Sequence, residues 1–192
     1  MPTSPSHDLY KEILNALPTP VFLVDADMFV LEYNQAAHDL LIAPARSIPG
    51  QRGGHVLSCL NAAHRTEGCG RTPHCGKCGL RGALNDARAG ARRVQTRATL
   101  RLVRNGQPQD RLFIITISPF SGTEGRWLLV MDDRTEQAEL EKVFPLCSSC
   151  REVRTDQTHR QNAETYLSRH WDGDPAACLC PGCRQRLLGA EG

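Results

Sequence analysis

The sequence predicts an α+β fold, helices packed on antiparallel strands, followed by a small cysteine-rich tail. Three observations carry this. Apolar and polar residues alternate along 94–102, the period-2 mark of a half-buried strand, and further apolar runs follow at 112–118 and 127–131. Two shorter strand signals lie earlier, at 20–25 and 29–33. Nine cysteines fall into two clusters of unlike spacing, in two segments of unlike composition.

The elements follow in order. Residues 8–17 place Leu9, Ile13, Leu14 and Leu17 on one helical face, with Asp8 as the N-cap and Pro18 as the stop. The strands 20–25 and 29–33 are joined by the turn Ala26, Asp27, Met28, and 34–41 is a short helix carrying Ala37, Leu40 and Leu41 inward. Asp25 and Asn34 cap strand ends and turns rather than acting as acid–base groups. Residues 43–79 then change character, with three prolines, many glycines and few large apolar side chains. Such a stretch lacks the material for a hydrophobic core, so something else must order it. A helix over 79–89 turns Leu80, Ala83, Leu84 and Ala87 to one side. Asn105 and Gly106 supply a hairpin turn, and 94–131 becomes a three-stranded antiparallel meander. Asp133 and Glu136 form a capping box for a polar helix over 134–143, and Pro145 breaks the chain. The domain boundary is placed at 144/145, giving 1–144 and 145–192, with a cysteine-rich insertion over about 54–79.

Length and charge narrow the function. A chain of 192 residues holds one ordinary domain and an appendage. A net charge of +2 makes a dedicated nucleic-acid binder an unfavoured reading. The N-terminus shows no secretory signal, and the apolar run 112–117 is far short of the roughly 20 residues of a membrane helix. A cytoplasmic protein that does not enter the membrane is expected. In a reducing cytosol, clustered cysteines are metal ligands or redox thiols before they are disulfides. No nucleophile elbow, phosphate-binding loop or kinase motif is present, so no enzyme is expected.

The first cluster, Cys59, Cys69, Cys75 and Cys78, is spaced C-x9-C-x5-C-x2-C. Thiolates hold zinc and iron–sulfur clusters alike, so the residue type leaves an iron–sulfur cluster, zinc, a dithiol switch and unligated thiols open. Glycines 68, 70, 76 and 79 let backbone N–H groups turn toward sulfur. His64 and His74 could each stand in for a cysteine, although a solvated loop histidine is the ordinary case. The second cluster, Cys147 and Cys150 with Cys180 and Cys183, makes two C-x2-C knuckles 29 residues apart, with Cys178 left over. Four protein ligands leave no open position, so zinc there would be a structural staple in a zinc-ribbon-like tail. Arg93, Arg97 and Arg101 lie on the polar side of the strand, where a solvated face is the ordinary reading.

The run LNALPTPVFLVD at 14–25, Tyr33-Asn34, and DRTE at 133–136 together resemble the PAS sensor fold over about residues 8–140. That resemblance implies one five-stranded antiparallel sheet with flanking helices. GHVLSCLNA at 54–62 and GCGRTPHCGKCGLRGA at 68–83 are similar to a bacterial PAS subgroup with a four-cysteine insertion beside the usual ligand cavity. FPLCSSCREVR at 144–154, ETYLSRH at 164–170 and CPGC at 180–183 are similar to a module at the ends of bacterial two-component signalling proteins. The Trp and His of that module are unmatched here, with Ala176, Ala177 and Cys178 where the His is expected. The resemblances imply a sensor of redox state or metal, working through Cys59, Cys69, Cys75 and Cys78. Its partner would be a signalling protein such as a histidine kinase or response regulator, with a homodimer through the PAS domain as a further partnership. The alternative is a structural zinc module in which both clusters hold zinc, acting on nucleic acid or in transcription regulation. An oxidoreductase using Cys75 and Cys78 lacks the supporting βαβ pattern.

Overall fold

The computed structural model describes residues 5–41, 48–63, 68–120, 124–143 and 157–170. The chain divides into two compact units, Met1–Glu136 and Gln137–Gly192.

The first unit is built on a five-stranded antiparallel sheet in the order β2-β1-β5-β4-β3. Its strands are β1 (Val21–Asp25), β2 (Val30–Tyr33), β3 (Val94–Arg104), β4 (Gln107–Pro119) and β5 (Arg126–Asp133). The meander expected from 94–131 is β3-β4-β5, and each strand runs longer than its apolar core. β3 and β4 pair in continuous register from Val94↔Ile117 to Arg104↔Gln107. Asn105 (φ 51°) and Gly106 (φ 75°) close them, both in the left-handed region that a two-residue hairpin needs. β5 then pairs with β1, Val21 opposite Val130, which joins the early strands to the late ones. Sequence separation of that size leaves no local signal.

Alternation decides which face is buried. Ala98, Leu100 and Leu102 are buried while Arg97, Thr99 and Arg101 are exposed. Phe113, Ile115, Ile117, Leu129, Met131, Phe22 and Val24 complete the inner face. Over it lie α2 (Gln35–Leu40), with Ala37 buried, and α5 (Gly79–Arg88), with Leu80, Ala83, Leu84 and Ala87 buried as their spacing requires. Between them, α3 (Gly53–Val56) and α4 (Leu60–Ala63) are single turns.

The two polar residues read as caps are caps. The Asp25 carboxylate accepts the N–H groups of Asp27 and Phe29, each at 2.9 Å, and so shapes the β1–β2 turn. Asn34, only 2% exposed, does more. Its Oδ1 accepts from Val21 and Ala37, each at 2.9 Å, and its Nδ2 donates to the carbonyls of Leu14 (2.9 Å) and Thr19 (3.0 Å). One amide thus ties the last turn of α1 (Pro5–Ala16) and the chain just after it to β1 and to the start of α2. α1 itself keeps its apolar side in solvent: Leu9 is 55% and Ile13 53% exposed.

In the second unit, the helix expected over 134–143 is α6 (Thr135–Val143), which the division of units crosses near its start. α7 (Gln157–His170) follows, a polar helix in a stretch from which no helix was expected. The side chains of Glu139 and Arg169 approach to 3.4 Å across the pair. Cys147, Cys150, Cys178, Cys180 and Cys183 lie outside the described residues, and with them the expected zinc site of the tail. No described helix is long and apolar enough to cross a membrane.

Candidate functional site: a thiol segment on the end of β3

Cys59, Cys69, Cys75 and Cys78 all fall among the described residues, each free and half-buried. The segment 53–79 that carries them enters the core through Val56 and Leu57, with Cys59 and Cys78 packed against it, and is otherwise ordered by backbone hydrogen bonds and close approaches. Ser58 (φ 55°) turns the chain out of α3, and its carbonyl accepts the Val103 N–H at 2.8 Å, while Cys59 forms a bridge with Leu102. The segment is therefore stapled to the last residues of β3. At its far end a Cβ on Gly79 would lie 2.5 Å from that of Ala98, so only glycine lets α5 begin this close to the same strand.

Each sulfur has its own surroundings. Burial pushes the Cys59 thiol above its ordinary value, only partly offset by the N–H groups of Asn61 and Ala62 that turn toward it. Burial also raises Cys69, against the opposing N–H of Gly54. A Cβ on Gly54 would stand 2.6 Å from the Cys69 sulfur, so that glycine makes the sulfur's seat. The Cys69 carbonyl accepts from Arg52 Nη1 at 2.8 Å, and the same guanidinium lies 4.9 Å above the Phe29 ring.

Cys75 differs. It sits in a 3₁₀ helix, Pro73–Lys77, entered from the buried Thr72. Partial burial pushes its thiol up, but the Thr72 hydroxyl, the N–H groups of Thr72 and Gly70, and the positive Arg81 outweigh that and hold it below the ordinary value. The Thr72 Oγ1 lies 3.2 Å and the Gly70 nitrogen 3.3 Å from the sulfur. Gly70 (φ 87°) takes a conformation open to glycine, and Arg81 packs where its Cβ would be. The expectation that these glycines turn N–H groups toward sulfur is met at Gly70. Thr72 and Arg81 were not foreseen. Their only trace in sequence is a threonine three residues before a cysteine and an arginine one turn into the next helix.

The donor chemistry of four thiols suits zinc or an iron–sulfur cluster. Among the described residues no group of three or more His, Cys, Asp or Glu side chains is gathered as a metal site would need, although Cys59 and Cys69 each lie within electrostatic reach of Cys75 and Cys78. His74 is exposed beside Cys75, and His64 lies outside the described residues.

The arginines divide. Arg93, Arg97 and Arg101 stand in solvent, and Arg101 is paired with the equally exposed Asp110 at 2.9 Å. Arg104, at the end of β3, turns back instead. It donates to the carbonyl of Leu40, which ends α2, at 2.9 Å, and to that of Leu57, which caps α3, at 3.3 Å. A cation at two helix C-termini meets orphan carbonyls and the negative ends of both dipoles. Its removal from water lowers its basicity, as does Arg111 nearby, while Asp133 opposes them. Arg111 grips Asp133 through Nη2 at 2.6 Å and Nε at 3.0 Å. The other Asp133 oxygen accepts from the Thr135 N–H (2.9 Å) and hydroxyl (2.6 Å), and the Leu112 N–H donates to Thr135 Oγ1 at 2.9 Å. The DRTE run is thus a hydrogen-bonded joint between β5 and the first residues of α6.

Comparison with protein families finds the PAS fold over residues 14–139, and the chain belongs to the PAS family. The chain is also similar to solved structures. The PAS domain of nitrogen regulation protein NR(II) from Vibrio parahaemolyticus is 20% identical with a TM-score of 0.47, covering 68% of this chain and 99% of that one. A domain of a sensory box sensor histidine kinase/response regulator from Geobacter sulfurreducens is 13% identical with a TM-score of 0.46, covering 67% and 94%. An RNA-binding light-oxygen-voltage receptor is 16% identical with a TM-score of 0.50, covering 89% of this chain and 42% of its own. At these identities the likeness is one of fold. Comparison with curated proteins finds no match.

Proposed function

We propose that this PAS protein is a cytoplasmic signal-transduction sensor whose input is the redox state of the thiol segment 53–79. Its output is protein–protein contact with a signalling partner such as a histidine kinase or response regulator, without catalysis of its own. The observation that supports this best is the double attachment of the end of β3. On one side it carries the thiol segment, through Leu102, Val103 and Arg104. On the other, Arg104 shares its electrostatic surroundings with Arg111 and Asp133, which hold the start of α6. Covalent change at the thiols strains a segment that is attached to the sheet at Leu102, Val103 and Arg104, next to that joint in the electrostatics of Arg104. The tail takes one structural zinc at Cys147, Cys150, Cys180 and Cys183 on this reading, a proposal that rests on paired spacing.

Amide hydrogen exchange across Thr135–Val143, compared between the reduced and the peroxide-treated chain, tests the sensor reading. Exchange in the first turn of α6 should change with oxidation. A change confined to 53–79 would leave a thiol segment that reports to nothing and would overturn the proposal.

A further inference from the structure

The four thiols are not equivalent, and the difference is built by residues around one of them. Three polar groups face Cys75: the hydroxyl of Thr72 at 3.2 Å, the N–H of Gly70 at 3.3 Å and the N–H of Thr72. Gly70 holds its N–H there by taking φ 87°, and Arg81 lies against the same glycine, bringing a positive charge to the sulfur. Cys59 and Cys69 are met by backbone N–H groups, of Asn61 and Ala62 and of Gly54, and by the neighbouring cysteines, with no hydroxyl and no cation among the groups that act on them. Thr72 is buried, at 5% exposure, and fixed at the N-cap of the 3₁₀ helix, so its hydroxyl is held in place before any reaction. Preorganised donors around one sulfur are what a nucleophilic thiolate requires. Cys78 closes the same 3₁₀ helix, its N–H donating to the Cys75 carbonyl at 3.3 Å. Side chains three residues apart in such a turn lie one above the other, near the separation a disulfide spans.

We propose that Cys75 is the site of modification by peroxides, and that Cys78 is the thiol that resolves the product. This rests on the sensor reading above and names the atom on which the signal acts. The thiolate of Cys75 attacks one peroxide oxygen. An S–O bond forms as the O–O bond breaks, the sulfur loses two electrons to the peroxide, and the departing hydroxide is protonated to water. Cys78, as thiolate, then attacks the sulfenic sulfur of Cys75. An S–S bond forms, and the hydroxyl leaves as a second water, taking the proton Cys78 gave up. Thr72, Gly70 and Arg81 are positioning residues, since they act through the Cys75 sulfur.

The experiment is site-by-site labelling of the full reduced chain with iodoacetamide, each cysteine peptide followed by mass spectrometry. Cys75 should react about ten-fold faster than Cys59 and Cys69. Thr72→Val should slow Cys75 by about ten-fold, the loss of one charge-assisted hydrogen bond, and leave Cys69 unmoved. Thr72→Ser, which keeps the hydroxyl, should restore the rate, separating this role from mere support of the 3₁₀ helix. One equivalent of hydrogen peroxide should then give the Cys75–Cys78 disulfide, and in Cys78→Ser a sulfenic acid at Cys75 that dimedone traps. Equal rates at the four sites, or Cys69 reacting first, overturn the proposal. Protection of all four until a chelator is added would show them metal-held and overturn it too. The two readings fail separately. Unselective labelling with a responsive α6 removes only the role of Cys75, whereas fast Cys75 with a silent α6 removes the sensor.

Discussion

The sheet and the thiol segment are packed against each other and held together by different physics. The sheet is ordered by apolar burial: Phe113, Ile115, Ile117, Leu102 and Met131 are wholly buried, and their alternation sets the register of three strands. The thiol segment has short turns in place of long elements. Among its described residues only Val56, Leu57 and Ala62 anchor it by apolar burial; the rest of its order comes from carbonyls and N–H groups satisfied one at a time, from glycines that permit close approach, and from Arg52 and Arg104 donating to backbone carbonyls. A region ordered by burial resists small perturbation, because many contacts change together. A region held largely by a few directed bonds can be reset by altering one.

Substitutions can break or sharpen that contrast. The largest effect belongs to the sheet. Phe113→Ala should lower unfolding free energy by about 3–5 kcal/mol, measured by urea denaturation. Next comes Asn34→Ala, which strands the Val21 and Ala37 N–H groups and the Leu14 and Thr19 carbonyls. Its cost should be about 2–3 kcal/mol, with faster exchange at the Val21 amide. Gly54→Ala places a methyl against the Cys69 sulfur and should cost about 1–3 kcal/mol. Its sharper mark should be faster alkylation of Cys69 with the sheet amides unchanged, since the seat of one sulfur is lost and the core is not. Equal loss across the sheet would mean that the segment and the sheet are one cooperative body. The smallest effect is expected from Ile13→Glu on the exposed side of α1, within about 0.5 kcal/mol of wild type.

Sequence made the sheet legible because burial writes itself as period. The alternation from Val94 to Leu102, the hairpin at Asn105-Gly106 and the apolar face of α5 all stand where pattern put them. It also marked the cap residues Asp25 and Asn34, whose side chains bond the backbone of the turns beside them. What stayed hidden is long-range or directional. The pairing of β1 with β5 joins segments about a hundred residues apart, and nothing in either one announces the other. Arg93, Arg97 and Arg101 read as a solvated face and stand in solvent, but nothing in the sequence marked Arg104 as the one that turns inward to two helix ends. Spacing located the four cysteines but could not rank them, since the rank comes from Thr72, Gly70 and Arg81, which carry no pattern of their own. The polar α7 escaped for the opposite reason: without an apolar stripe, a helix has no periodic signal.

The central claim is that the end of β3 couples the thiol segment to the start of α6. Arg104 donates to the Leu57 carbonyl of the segment and lies within electrostatic reach of Arg111 and Asp133, so the decisive measurement is amide exchange at Thr135 and Glu136, oxidised minus reduced, in wild type and in Arg104→Gln. The glutamine keeps a donor for one carbonyl but removes the charge and the second bond. The account predicts a clear difference between redox states in wild type that is lost in Arg104→Gln, while Cys75 is oxidised equally in both. An undiminished difference in the variant, with α6 still following the thiols, would contradict it.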